Sequence, residues 1–331
     1  MNDENNDRWL VVVNPQASVG KARRDWPDIK HILEEEGCDF DYVFTERIGH
    51  GVEITKQHME NHGYHKLMAV GGDGTINEVV NGIFSQKRFN TNEVTLGVIP
   101  VGTGNDWGRM FEYPNDYHKI VKILKAGKPF MHDIGRVSYQ SNDGMTERYF
   151  INTAGIGFDQ VVAAKTNYMK MQGKGGKINY LWSLITCFFS YKIVPVKITM
   201  DDDMIFNDMV FSLSLGNCRY TGGGFMQTPK ALPDDGCLDL TIIRNIPIFK
   251  AIRNIPNLYN GSFVDKLKEV SSYRGKKIII ESKNNKTLPI ETDGEILGNA
   301  PFEFSVIPQA LQVIVKQNAI RKIHIETKRQ G

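Results

Sequence analysis

The sequence predicts an α/β domain with a doubly wound parallel sheet, followed by an all-β domain of the sandwich type. Two observations carry this. Up to Pro129, short apolar runs alternate with segments of helical period, the pattern of parallel strands joined by right-handed crossovers. Beyond Pro129, strand-like runs separated by turn residues predominate.

Taken in order, Trp9 to Val13 is a strand, and a helix near 21–36 ends at Gly37. Asp41 to Thr45 is the second strand, with a helix near 50–62 after it. Leu67 to Val70 is a third strand, and Ile76, Val79, Val80, Ile83 and Phe84 then fall on one helical face. A strand at 94–99 and a helix near 116–126, ending at Gly127, complete the first part. In the second part Ile134 to Tyr139, Glu147 to Asn152, Val194 to Met200, Asp208 to Leu215, Leu238 to Arg244, Lys276 to Ser282, Thr287 to Thr292 and Phe302 to Pro308 read as strands. Helical patterns there are confined to about 159–171, 178–190 and 247–261. The expected division is 1–130 plus 310–331 for the first domain and 131–309 for the second.

With 331 residues, 41% hydrophobic and 24% charged, the chain reads as a soluble globular protein of one large or two modest domains. A net charge of +2 is too balanced for a nucleic-acid partner. The polar, acidic start predicts no secretory leader, and Cys38, Cys187, Cys218 and Cys237 form no CxxC pair, so a reduced, cytoplasmic protein is expected. The longest uncharged run, Ile178 to Tyr191, has 14 residues, short of the ~20 that a spanning helix needs.

The chemistry gathers at strand ends. The third strand enters Gly71-Gly72-Asp73-Gly74-Thr75-Ile76-Asn77, three glycines around one carboxylate at the start of a helix. Glycines allow positive φ and close approach of a ligand, and a helix N-terminus presents N–H groups to an anion. A bare aspartate would repel phosphate, which predicts a nucleotide-phosphate site working with a divalent metal. The strand ends at Asn14-Pro15-Gln16-Ala17-Ser18 and at Gly102-Thr103-Gly104-Asn105-Asp106 repeat this chemistry, and ligands of open α/β sheets bind beyond such ends. No Gly-x-x-x-x-Gly-Lys-Ser/Thr occurs, which excludes a P-loop. In the second part, Gly222 to Leu238 and Glu291-Thr292-Asp293-Gly294-Glu295 again set carboxylates beside glycines. His58, His62 and His65 have no carboxylate or cysteine partner in their motif and are expected to mark a polar helix end, and Asp201 to Asp203 a solvated turn.

GGDGTINEVVNG, PVGTGNDWGRM, GIGFD at Gly155 to Asp159, the glycines 222–224 with the DDG at 234–236, and the DGE at 293–295 together resemble the bacterial diacylglycerol kinase-like lipid kinases. That family is related to sphingosine and ceramide kinases and, more remotely, to NAD kinases and phosphofructokinases. The resemblance runs through nearly the whole chain. It implies a Rossmann-like nucleotide domain, a β-sandwich lipid domain, and a C-terminal segment returning to the first. The implied activity is transfer of the γ-phosphate of ATP to a lipid hydroxyl, foremost diacylglycerol giving phosphatidic acid. Another lipid, a soluble alcohol, or a non-catalytic nucleotide or lipid sensor are the alternatives.

By resemblance, Asn14, Thr45, Gly71, Gly72, Asp73, Gly74, Thr75, Ile76, Asn77, Thr103, Asn105 and Asp106 match ATP-binding positions, with Asp73 also a catalytic residue acting through Mg²⁺. Glu295 matches the proton acceptor, and Asp133 an acidic position of a polar network. Leu232, Asp235 and Cys237 match a structural Mg²⁺ site, the first and last through their carbonyls. Trp107-Gly108 departs from the family pattern, which more often has alanine second. A lipid acceptor implies transient contact with a membrane surface, for which 165–192, with Lys165, Lys170, Lys174 and Lys177 ahead of an aromatic run, is the candidate. A homodimer is expected from the family.

Overall fold

In the computed structural model, the structure describes residues 7–102, 104–171, 183, 186–188, 191, 193–283 and 287–330. The chain divides into two compact units, Met1–Asp133 with Gln309–Lys328, and Ile134–Pro308 with Arg329–Gly331.

The first unit holds β1 (Trp9–Val13), α1 (Ala17–Glu35), β2 (Phe40–Phe44), α2 (His50–His62), β3 (Lys66–Gly71), α3 (Asp73–Ser85), β4 (Thr95–Pro100), α4 (Asp106–Met110) and α5 (Tyr117–Ala126). Its strands run parallel in the order β4-β3-β1-β2, the doubly wound pattern expected from the alternation. β1, β3 and β4 are apolar along nearly their whole length because helices cover both faces. Val11, Val13, Met68, Val70 and Ile99 pack with Trp26, Ile29 and Leu33 of α1 and Ile120, Val121 and Leu124 of α5. α1 starts irregularly, with Ser18, Val19 and Gly20 at positive φ, so the regular helix begins near Lys21 as its apolar period predicts. Asp116 caps α5 by accepting from the Lys119 N–H at 2.9 Å.

The second unit holds β5 (Pro129–Ser141), β6 (Gly144–Phe150), β7 (Thr153–Gly157), α6 (Phe158–Met171), β8 (Val194–Met200), β9 (Asp203–Val210), β10 (Ser212–Gly216), β11 (Tyr220–Thr221), β12 (Phe225–Met226) and β13 (Leu238–Ile243). There follow α7 (Ile248–Arg253), α8 (Ile255–Tyr259), α9 (Phe263–Lys266), β14 (Val270–Gly275), β15 (Lys277–Ser282), β16 (Pro289–Thr292) and β17 (Glu295–Ile314), while the last helix, α10 (Gln317–Gln330), belongs up to Lys328 to the first unit. One antiparallel run is β14-β13-β10-β7-β16-β17, and β17 also pairs with β15, which leads to β8 and β9. The end of β17 belongs to the first unit, where Gln312 and Val313 pair in parallel with Thr95 and Leu96.

Three expectations change. The single strand expected at 208–215 is two, because the chain breaks at Phe211, whose ring stacks on Phe158 at 4.5 Å. β7, which no expected strand covers, runs into the Gly155–Asp159 motif and is buried throughout, so it shows no alternation to read. The helix expected at 247–261 is broken into α7 and α8, with Pro256 in the first turn of the second. The helix expected at 178–190 falls largely outside the described residues.

Candidate active site

Three strand ends of the first unit converge. The Asn14 side-chain amide donates to Thr75 Oγ1 at 3.1 Å, and its backbone N–H donates to the Val70 carbonyl at 3.0 Å. The Val101 N–H reaches the Gly71 carbonyl at 2.7 Å. Thr45 is buried, its N–H bonded to the Val13 carbonyl at 2.8 Å. Ile76 and Asn77 are buried in α3, where Asn77 Oδ1 accepts from the Asn81 amide at 3.1 Å. Their side chains therefore pack within the unit.

The glycines act differently from the expectation of positive φ, since Gly71, Gly72 and Gly74 all lack it. A Cβ on Gly71 would lie 2.3 Å from Thr75 Oγ1, so this position is glycine because α3 turns back tightly on β3. Gly72 and Gly74 have open space where a Cβ would stand. A phosphate can approach the backbone there, at the N-terminus of a 13-residue helix.

Asp73 has a role that the motif does not reveal. Its two carboxylate oxygens accept from the Asp106 and Trp107 N–H groups, each at 3.1 Å, and so cap α4. Asp73 therefore ties the GGDGT turn to the loop after β4. Each oxygen can accept twice, which leaves room for a metal-bound water. Asn105 sits at φ 46° with its amide bonded to the Gly102 carbonyl at 2.9 Å. Asp106 is buried beside Arg109, and Thr103 lies outside the described residues. Glu78, passed over in the sequence, caps α2 by accepting from Gly49 and Gly51, both at 2.8 Å.

Behind this loop, Trp107 is fully buried, packs on Phe111 at 4.8 Å and donates from Nε1 to His132 Nε2 at 3.4 Å. Burial pushes the His132 pKa down to about 4, so the neutral ring accepts there and donates from Nδ1 to the Asp133 carbonyl. Asp133 is buried and accepts from the Gln309 N–H at 2.7 Å, anchoring the returning segment.

In the second unit, Asp293 and Gly294, at φ 49° and 85°, form the two-residue turn joining β16 to β17. The Asp293 carboxylate accepts from the N–H groups of Ile151, Asn152 and Thr153 at 3.0, 3.1 and 2.9 Å. Glu291 is buried and accepts from the Gly294 N–H at 2.7 Å, and burial pushes its pKa up to about 8. Glu295 alone in this turn keeps a partly exposed carboxylate, paired with Arg148 of β6. No motif announces Arg148 as the partner of Glu295, because the pair depends on how β5, β6 and β17 associate.

Leu232, Asp235 and Cys237 lie in one loop, and their expected oxygen donors suit a hard cation in kind. Their carboxylate is already engaged. Asp235 Oδ1 accepts from the Cys237 N–H at 3.0 Å, and Oδ2 faces Arg274 Nη1 at 3.2 Å. Arg274 also bonds Asp239 at 2.9 Å, a buried carboxyl that desolvation pushes up to about 6. The Arg274 guanidinium thus lies beside the carboxylate that was expected to meet the metal, and a carboxylate oxygen has a second lone pair for a cation or its water. Among the described residues no three His, Cys, Asp or Glu side chains are grouped to hold a metal. His58 bonds its own helix at the Ile54 carbonyl, 2.8 Å away. The Asp201 carboxylate is not simply solvated, since it accepts from the Lys276 and Lys277 N–H groups at 3.0 and 2.8 Å.

The second unit also contains an apolar pocket lined by Phe158, Phe188, Phe211, Ile246, Leu258 and Phe263, among others. Asp159 and Gln227 form its polar wall. Ser214 Oγ donates to Asp159 at 2.7 Å, and the Gln227 amide donates to it at 3.3 Å. Burial raises the Asp159 pKa in spite of these bonds.

Residues 8–137 match the diacylglycerol kinase catalytic domain family, and 152–315 match the YegS C-terminal NAD kinase beta sandwich-like domain. A diacylglycerol kinase of Staphylococcus saprophyticus is 30% identical over 92% of this chain and 94% of its own. The chain belongs to the diacylglycerol kinase family. A Mycobacterium tuberculosis diacylglycerol kinase is likewise 30% identical, over 90% of this chain and 88% of its own. In fold, the kinase resembles a Bacillus anthracis diacylglycerol kinase structure, with a TM-score of 0.69, 22% identity and coverage of 95% and 98%. It also resembles yeast NADH kinase, at 0.53 with 12% identity and coverage of 98% and 88%. This kinase is a phosphotransferase with an alcohol acceptor, and the family implies ATP as donor and a lipid as acceptor. No helix among the described residues is long and apolar enough to cross a membrane.

Proposed function

We propose that this kinase transfers the γ-phosphate of Mg²⁺-bound ATP to the free hydroxyl of diacylglycerol, giving phosphatidic acid and ADP. The observation that carries the acceptor is the apolar pocket of the second unit. Phenylalanine, leucine and isoleucine walls with one polar side suit aliphatic chains whose ester groups bond to Asp159 and Gln227.

The first unit would bind the phosphates at the open faces of Gly72 and Gly74, assisted by the N-terminus of α3, with Asn14, Thr45 and the 102–106 loop around them. Asp73 would hold the Mg²⁺ that accompanies the nucleotide, and that ion would offset the repulsion between carboxylate and phosphates. Glu295 takes the hydroxyl proton as the lipid oxygen bonds to the γ-phosphorus. The bond to the β–γ bridging oxygen breaks, and ADP leaves with that electron pair. Arg148 fixes the Glu295 carboxylate before reaction.

Transfer from labelled ATP to a panel of lipids in mixed micelles, with and without Mg²⁺, tests this reading. Labelled phosphatidic acid formed from diacylglycerol only with Mg²⁺ is expected. Labelling of a sphingoid base or a soluble alcohol instead would overturn the substrate. No labelling of any lipid would overturn the lipid acceptor and leave a soluble alcohol or a non-catalytic sensor.

A further inference from the structure

The short helices α7 and α8 have two different faces. Inward, Ile248, Ala251, Ile255 and Leu258 line the apolar pocket. Outward, Phe249 is 85% exposed, while Ile252, which also lines the pocket, and Tyr259, whose ring packs on Phe225 at 4.7 Å, are half exposed at the rim. No residue of α7 or α8 is fully buried, so the pair forms a thin wall between pocket and solvent rather than a core element. An exposed phenylalanine beside an exposed isoleucine on a six-residue helix is an unfavourable surface in water.

The charge around this wall is on balance positive. Between Ile246 and Glu269 the chain carries Lys250, Arg253, Lys266 and Lys268 against Asp265 and Glu269, the last paired with Lys250 at 2.7 Å. Basic side chains flanking exposed aromatic and aliphatic ones suit an anionic lipid surface, in which the rings sit among acyl chains and the cations meet the headgroups. The same segment is the wall of the pocket proposed to receive acyl chains, so a membrane seated there would be continuous with that pocket.

We propose that α7 and α8 are the surface by which this protein docks on an anionic bilayer, with Phe249 inserted between lipids. This rests on the lipid-kinase reading for its purpose, but the docking can be measured without turnover. It places the contact C-terminal to the 165–192 segment favoured by the sequence, most of whose aromatic run lies outside the described residues.

The test uses the full chain and two variants, Phe249→Ser and Arg253→Glu. Both positions are exposed, so the fold should survive. Co-sedimentation is measured with vesicles of phosphatidylglycerol and phosphatidylcholine in equal parts, and with phosphatidylcholine alone. The wild type should bind the anionic vesicles and bind the neutral ones less. Phe249→Ser should lose about tenfold in partitioning, the scale of one aromatic side chain returned to water. Arg253→Glu should lose several-fold on anionic vesicles only. Both variants should phosphorylate a short-chain, monomeric diacylglycerol as the wild type does. Equal vesicle binding by all three proteins would overturn the proposal. So would a dimeric wild type that becomes monomeric in Phe249→Ser, since a second copy would then cover this face. If the wild type binds vesicles but phosphorylates neither form of diacylglycerol, the kinase reading fails and the docking surface stands.

Discussion

Two Asp-Gly turns, one in each unit, look alike in sequence and work differently. In Gly72-Asp73-Gly74 the aspartate opens a helix and reaches across to cap a second one, through the Asp106 and Trp107 N–H groups. In Asp293-Gly294-Glu295 the aspartate is the turn itself and collects three N–H groups from the 151–153 segment. Both aspartates are clamps on backbone. The difference is what each clamp leaves beside it. The first leaves open glycine faces, suited to an incoming phosphate. The second leaves a glutamate held by an arginine, suited to taking a proton. A carboxylate in a glycine turn is thus evidence of a built site, but the residue that does the chemistry can be its neighbour.

Substitutions sharpen this contrast. Glu295→Gln has the largest expected effect, a loss of about 10²–10⁴-fold in turnover with ATP affinity and unfolding midpoint unchanged. Steady-state kinetics beside nucleotide titration check it, and a large loss of ATP binding would break the assignment. Asp293→Ala leaves three buried N–H groups without their acceptor and should cost about 2–3 kcal/mol, read from urea unfolding. Asp73→Ala removes a partly exposed cap and should cost about 1 kcal/mol, while also weakening ATP binding. A stability loss as large as that of Asp293→Ala would contradict the contrast drawn between the two clamps.

The smallest effect is a slope. Burial holds the folded Glu291 pKa at about 8, above its value in the unfolded chain. Its contribution is fully present below the ordinary carboxylate range and is lost as pH rises through 8, because the unfolded chain gives up the proton first. Glu291→Gln should therefore flatten the decline in stability between pH 5 and pH 9 in urea titrations. An unchanged slope would show that Glu291 ionises freely in the folded protein.

Much of this was legible in the sequence, and for definite reasons. Alternating strands and helices revealed the doubly wound unit, because a sheet covered on both faces must be apolar along whole strands, as β1, β3 and β4 are. The turn at Asp293-Gly294 was visible because two positive-φ positions demand such residues. Partners were not visible. Nothing in the local sequence couples Arg148 to Glu295, Glu78 to the start of α2, or Arg274 to Asp235, since each pair is made by tertiary packing. The Arg274 contact sets a cation beside the Asp235 carboxylate that the local sequence does not announce.

The central claim is that Glu295, and not the aspartate of either turn, takes the proton. Its most direct test is single-turnover phosphorylation of diacylglycerol by wild type, Glu295→Gln and Asp73→Ala, with ATP well above each protein's dissociation constant. With nucleotide saturating, Asp73→Ala should recover a large share of the wild-type rate, and Glu295→Gln should stay slow by about 10²-fold or more. A fast Glu295→Gln beside an Asp73→Ala that stays slow at saturation would move the proton acceptor to Asp73 and contradict the account.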